Sequence, residues 1–67
     1  MATFKLIRDM RNGHTVRLSP VEAKDAASAL QQAVLACEPG DRLHAFNEAG
    51  EFVVSLNINS GLMTGRW

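Results

Sequence analysis

One cysteine, no tyrosine, one tryptophan and three phenylalanines leave this 67-residue chain short of the residues that staple or fill a small domain. Cys37 alone cannot form an internal disulfide, and a lone thiol suits a reducing compartment. An excess of one charge is missing too. Seven basic residues stand against seven acidic ones, which removes any global drive toward nucleic acid or an anionic membrane. No apolar run is long enough to span a bilayer, and MATFKLIRDM opens as a charged amphipathic strand rather than a signal peptide. The expectation is a cytoplasmic protein with no membrane partner.

Catalytic signatures are missing as well. There is no Gly-x-Ser-x-Gly elbow, no phosphate-binding loop, no Cys-x-x-Cys and no His-x-x-x-His pair. His14 and His44 belong to different hairpins, and their spacing with Cys37 gives no support for a metal site. Cys37 lies on an apolar helical stripe, where a small buried hydrophobe outweighs a reactive thiol. The carboxylates are scattered over solvated positions, and so small a domain has little room for a cleft. No catalytic, cofactor-binding or metal-binding residue is expected, and the chain reads as a non-enzyme.

What is present begins with FKLIRDMRNGHTVRLSPVE, a hairpin around Asn12-Gly13. A two-residue loop would place Phe4 and Leu6 on the opposite face from Val16 and Leu18. A three-residue loop, Arg11-Asn12-Gly13, pairs Leu6 with Leu18 and Arg8 with Val16. That register gathers Phe4, Leu6, Met10, Val16 and Leu18 on one face, with Ile7 the only large apolar residue on the other. A one-residue slip flips every side chain, so burial selects the three-residue loop. Residues 1–19 carry Lys5, Arg8, Arg11 and Arg17 against Asp9, and the remainder of the chain carries the compensating acidic excess. A basic hairpin edge on an acidic body follows.

The helix can start in two places. Ser19-Pro20-Val21-Glu22 has the form of a capping box with proline at the first helical position. The alternative extends the second strand through Ala23 and begins the helix after Asp25, at Ala26; in its favour, Val21 lies off the stripe of Ala23, Ala26, Ala27, Leu30, Ala33, Val34 and Cys37. Glu38-Pro39-Gly40-Asp41 ends the helix. Arg42–Phe46 and Glu51–Asn59 then read as a second hairpin, with Phe52, Val54, Leu56 and Ile58 inward and Val53 outward. A four-residue loop puts Leu43 and Ala45 inward; a three-residue loop with a Gly50 bulge puts His44 and Phe46 there instead. Residues 60–67 read as a tail. The expected fold is a single α+β domain over residues 1–67, ββαββ, with an antiparallel four-stranded sheet and one helix packed on one face.

Two binding functions suit such an object. One is direct nucleic-acid binding, or an antitoxin-like role, through Lys5, Arg8, Arg11 and Arg17 with Arg66 and Trp67. Neutral total charge and the lack of stacking rings on the hairpin face weigh against it. The other is a protein interaction module whose outer sheet face carries leftover apolar surface, including Phe46 in one register, rimmed by charge. A homodimer through that face would also help so small a core.

The order MATFKLIRDMRN, VEAKDAASALQQA, RLHAFNEAGEFVVSL and a short tail ending GRW resembles the small phage-encoded anti-CRISPR proteins. It is most similar to a ββαββ type I-F inhibitor with a VEA-x-[SD] strand-to-helix passage and a late Gly-x-x-Trp-like ending. The resemblance covers most of the chain; antitoxins with a partial version of the fold share its alanine-rich helix. It implies a stoichiometric inhibitor that docks on a CRISPR Cascade-type ribonucleoprotein complex and blocks nucleic-acid recognition. Glu48, Glu51, Asp41 and Glu38 would then face the target's lysines and arginines. It carries no catalytic residue to this chain.

Overall fold

In the computed structural model, which describes residues 1–58 and the backbone of 63–65, the chain folds as one α+β unit. The strands are β1 (Ala2–Asp9), β2 (Thr15–Arg17), β3 (Val21–Ala23), β4 (Arg42–Phe46), β5 (Phe52–Asn57) and β6 (Met63–Gly65). One helix, α1 (Ala26–Ala33), runs into a single 3-10 turn at Val34–Ala36. The sheet is antiparallel throughout, in the order β2-β1-β4-β5-β6, and β3 pairs with β1 on the same side as β2. The expected ββαββ layout holds, with five strand positions rather than four. The fifth comes from the stretch read as a tail, whose 63–65 segment pairs with β5.

The first hairpin takes the three-residue register. Arg8 opposes Val16, and the Leu18 amide donates to the Leu6 carbonyl at 3.0 Å. Gly13 closes the turn at φ +92°, a left-handed conformation that an L side chain rarely adopts. After Leu18 the edge strand gains one residue: Ile7 pairs with Arg17, but Phe4 pairs with Val21, so Leu18, Ser19 and Pro20 oppose only Lys5 and Leu6. Proline fits this bulged edge because no ladder donor is required of it. Ser19-Pro20 is therefore a strand irregularity and not a helix start.

The helix begins at Ala26. Asp25, extended at φ −153°, accepts a hydrogen bond from the Ser28 amide at 2.8 Å. That bond holds the Asp25 carboxyl below its ordinary range. Pairing of Val21 and Ala23 with Phe4 and Ala2 decides between the two starts, because it buries Ala23 on the sheet. Ala26, Ala29 and Leu30 then face Phe4, Leu6, Leu43, Ala45, Val54 and Leu56 in one buried cluster. Alanine on both layers lets α1 lie close to the strands.

α1 packs on β1, β3, β4 and β5 and stops short of β2. Val16, on the core face by parity, is therefore left exposed. At that uncovered end the core face carries Arg8, in alternation with Phe4 and Leu6, and Arg8 meets Asp41. Arg8 Nε and Nη2 approach Asp41 Oδ2 at 2.7 and 2.6 Å. The same carboxylate accepts from the backbone amides of Glu38 at 3.0 Å and Arg11 at 3.2 Å. Asp41 also joins the ladder end, its carbonyl accepting from the Ile58 amide at 3.0 Å. Only 2% of Asp41 is exposed, so it is an internal bracket rather than one of the surface acids expected to face a partner.

The second hairpin combines both expected registers. Its loop is the three-residue one, Glu48-Ala49-Gly50, with Gly50 at φ +85° and the Asn47 amide donating to the Glu51 carbonyl at 2.9 Å. A second bulge follows: Ala45 pairs with Val54 but Phe46 with Phe52, leaving Val53 extra. That shift restores Leu43 and Ala45 to the core. It also exchanges two side chains, since Val53 packs against the core while Phe52, expected inward, is 47% exposed.

Leu30 is fully buried at the centre of the helix face. Leu30→Ala is expected to cost about 2–4 kcal/mol by urea unfolding, and a loss below about 0.5 kcal/mol would mean that another face of α1 meets the sheet. The amide of Glu38, then Arg8 and the amide of Arg11, hold the Asp41 carboxyl below its ordinary value against the opposing effect of burial. The folded chain thus binds this proton less readily than the unfolded chain. Its contribution is full above the ordinary carboxylate range and is lost as pH falls through the depressed value. Urea midpoints measured from pH 7 to pH 2 should fall on the acid side, and Asp41→Asn should start lower and flatten that fall.

Candidate functional site: the uncovered sheet face

The helix covers one side of the sheet, and alternation sends a second set of side chains to the other. With Phe4, Leu6, Leu43, Ala45, Val54 and Leu56 inward, the outer set is Lys5, Ile7 and Asp9 on β1 and Thr15 and Arg17 on β2. Arg42, His44 and Phe46 on β4, Ser55 and Asn57 on β5, Thr3 on β1 and Glu22 on β3 belong to it as well. The bulge adds Phe52, whose ring meets Phe46 edge-on at 5.9 Å between centroids with the planes at 70°. These two rings and Ile7 form the apolar strip of this face.

A groove of about 490 Å³ crosses β1 beside that strip, lined by Lys5, Leu6, Ile7, Arg17, Leu18, Pro20, Phe46 and Gly50. One wall is the bulged edge at Leu18–Pro20, and the other is the β4–β5 turn. Its floor is apolar. Lys5 and Arg17 supply two cations that make no ion pair among the described residues. Glu48 and Glu51 stand exposed at the turn beyond the second wall. The side-chain amide of Asn47 donates to Glu51 Oε1 at 3.3 Å, and Asn47 Oδ1 accepts from the Glu51 amide at 2.9 Å, so the turn is braced.

In the middle of the face His44 bridges two strands. Its Nδ1 and Ser55 Oγ are hydrogen bonded at 2.6 Å, and its Nε2 lies 4.0 Å from Asp9 Oδ2. Serine, histidine and aspartate are the residue types of a hydrolytic triad, but the geometry differs from one. Asp9 is beyond hydrogen-bond reach of the ring and its side chain is 48% exposed. The row sits on an open strand surface, where amides are engaged in ladders rather than aimed at an oxyanion. Among the described residues no group of three or more histidine, cysteine or acidic side chains is placed to hold a metal ion. Burial raises the Cys37 thiol above its ordinary value, and its Sγ donates to the Ala33 carbonyl at 3.6 Å, so it packs rather than reacts.

Of the residues singled out from sequence, Lys5, Arg17 and Phe46 come together at the groove, with Glu48 and Glu51 beside it. Arg8 does not join them; parity turns it to the helix side, where Asp41 holds it. Arg11 lies at the other end of β1, by a polar cavity of about 380 Å³ with Met10, Asn12, Glu38, Pro39 and Asp41. Arg66 and Trp67 lie outside the described residues. Phe52, Ile7 as groove floor and the His44–Ser55 bond complete the face. Strict alternation hides Phe52, because only the bulge turns it outward. The position of Arg8 was readable from its two-residue spacing after Leu6.

Among the described residues no helix is long and apolar enough to cross a membrane. No family model, no curated protein and no solved structure matches the chain.

The Phe46–Phe52 contact contributes little to folding for two aromatic rings, since half of Phe52 remains in water. Phe52→Ala is expected to cost about 0.5–1.5 kcal/mol. Leu56→Ala, on the buried side of the same strand, should cost about 2–4 kcal/mol by the same denaturant titration.

Proposed function

We propose that this chain is a non-enzymatic interaction module that engages a protein partner through the outer face of its sheet. The observation that carries the reading is the composition of that face: Ile7, Phe46 and Phe52 in an apolar strip toward the β4–β5 turn, with Lys5 and Arg17 on one side and Glu48 and Glu51 on the other. An apolar strip flanked by both signs suits a protein surface. Phosphate backbones require clustered positive charge, and Glu48 and Glu51 beside the groove work against it. The two rings do form a platform beside cations, the arrangement that single-stranded nucleic acid uses, so that class is the competing outcome of the test. The Ser55–His44–Asp9 row supports the reading, since it lacks both an aligned carboxylate and an oxyanion site.

The resemblance to small anti-CRISPR inhibitors makes a guide-loaded Cascade-type complex the first partner to assay, and on that reading the chain would act in the host cytoplasm. The purified chain should show no retention of single-stranded or duplex DNA at about 150 mM salt, where exposed charges are screened beyond roughly 8 Å. Its binding to the guide-loaded complex should be lost with Phe52→Ser combined with Arg17→Glu. Failure to bind the complex removes the inhibitor reading. Tight binding of free nucleic acid that falls steeply with salt and disappears in Lys5→Ala, Arg17→Ala overturns the module reading in favour of direct nucleic-acid recognition.

A further inference from the structure

We propose that the outer sheet face is self-complementary and that its partner is a second copy of this chain. The inference rests on the interaction-module reading and names its occupant. β1 and β4 are neighbours in strict register: Lys5 opposes Phe46, Ile7 opposes His44 and Asp9 opposes Arg42. A twofold axis lying in the interface between these strands and parallel to them sets β1 of one copy over β4 of the other. Lys5 then meets the Phe46 ring of the second copy, a cation over an aromatic face. Asp9 meets its Arg42, and no ion pair joins Asp9 to Arg42 within one chain among the described residues.

The same rotation brings the basic side of the groove toward the acidic turn. Lys5, in the row of Phe46 and Phe52, comes beside Glu51 of the second copy, while Arg17, in the row of Ile7 and His44, is set over its Ser55, and the symmetry makes each contact twice. With an axis along the strands the two sheets pack nearly aligned, the ordinary arrangement of a β-sandwich with faces about 10 Å apart. Phe52 leaves water in the process.

Charge and area both favour this occupant. A partner of one sign would be attracted by half of the face and repelled by the other half, whereas a second copy satisfies both halves. The molecule measures 31 × 20 × 19 Å. A face of that extent offers roughly 600 Å² per copy and about 1,200 Å² per pair, the lower bound for a specific interface. A domain of this length sits near the limit for a self-sufficient core, so covering the open side of its sheet also adds apolar burial.

Light scattering and sedimentation from about 1 μM to about 1 mM test the proposal on the intact chain, the range in which an interface of this size self-associates. The parent should dimerise within it. Asp9→Arg and, separately, Arg42→Asp should each weaken self-association by at least about tenfold, since each pairs like with like. An equimolar mixture of the two variants should recover the dimer, because each reversed contact is then matched by its opposite. If either variant fails to fold by circular dichroism, Lys5→Glu and Phe52→Ser provide the same readout and should be monomeric. A parent that is monomeric at about 1 mM overturns the proposal, as does a dimer indifferent to these substitutions or a mixture no stronger than its components. A monomeric parent whose binding to another protein still needs Phe52 overturns this inference alone. A dimer that also binds free nucleic acid through Lys5 and Arg17 overturns both readings, since the proposed interface covers these two cations.

Discussion

The fold depends on one buried carboxylate. Asp41 ties Arg8 of β1, the amide of Arg11 in the first hairpin, the amide of Glu38 at the exit from the helix and, through its carbonyl, the amide of Ile58 after β5. Three parts of the chain distant in sequence meet there: β1 with its hairpin, the exit from the helix, and the residue after β5. Of the ten buried apolar residues among those described, four are alanine, which brings the layers close but buries little area per residue. A charged bracket therefore does at one end of the core face what Leu30 does at its centre. Such a bracket is tolerable only when fully partnered, since an unpaired buried carboxylate costs more than most contacts return. Among the described residues no buried side-chain oxygen or nitrogen is left without a partner.

The bracket also explains the sequence around it. Pro39-Gly40 forms a tight turn in which the Asp41 amide donates to the Glu38 carbonyl at 3.1 Å, while the Asp41 carboxylate receives the Glu38 amide in return. Gly40 is required by its positive φ of +95°, and a Cβ there would also displace the Arg11 side chain, whose Cδ would lie 2.8 Å away. The helix stop, the hairpin tip and the ion pair are thus one arrangement. Asp41 adds specificity of topology more than net stability, because it fixes where the crossover through α1 returns to the sheet.

Much of the fold is legible in local pattern. The Asn12-Gly13 hairpin, its three-residue register and the alanine-rich helix follow from burial and turn chemistry acting over a few residues, although the α-helix ends at Ala33 and passes through a 3-10 turn at Val34–Ala36 rather than running on to Cys37. The helix start is not settled locally. Ser19-Pro20 satisfies a capping rule as well as Asp25 does, and only the pairing of Val21–Ala23 with Ala2–Phe4 chooses between them. The pairing of 63–65 with β5 is likewise invisible in a short segment with glycine on both sides. The site is less legible still. Counting basic residues along the hairpin groups Arg8 with Lys5 and Arg17, although a strand sends alternate residues to opposite faces. The charge of Arg8 is spent inside the molecule.

Bulges are what separate the face from the alternation that would otherwise predict it. In β5 the extra residue Val53 keeps Leu43 and Ala45 in the core while turning Phe52 out to meet Phe46. In the edge strand the extra residue at Leu18–Pro20 opens the wall of the groove. Without the first, Phe52 would point at the helix and the outer face would keep a single ring. Without the second, Arg17 and Val21 would continue one flat ladder along β1, and the groove beside Ile7 would lose the wall that the bulge provides. Each irregularity is compatible with the core, which accepts a valine in place of a phenylalanine and a proline at an edge. Both serve the core as well: the first keeps Leu43 and Ala45 inward, and the second sets Val21 and Ala23 on the same face as Phe4. Each therefore acts on two faces at once, keeping apolar side chains under the helix while reshaping the surface that the helix leaves uncovered.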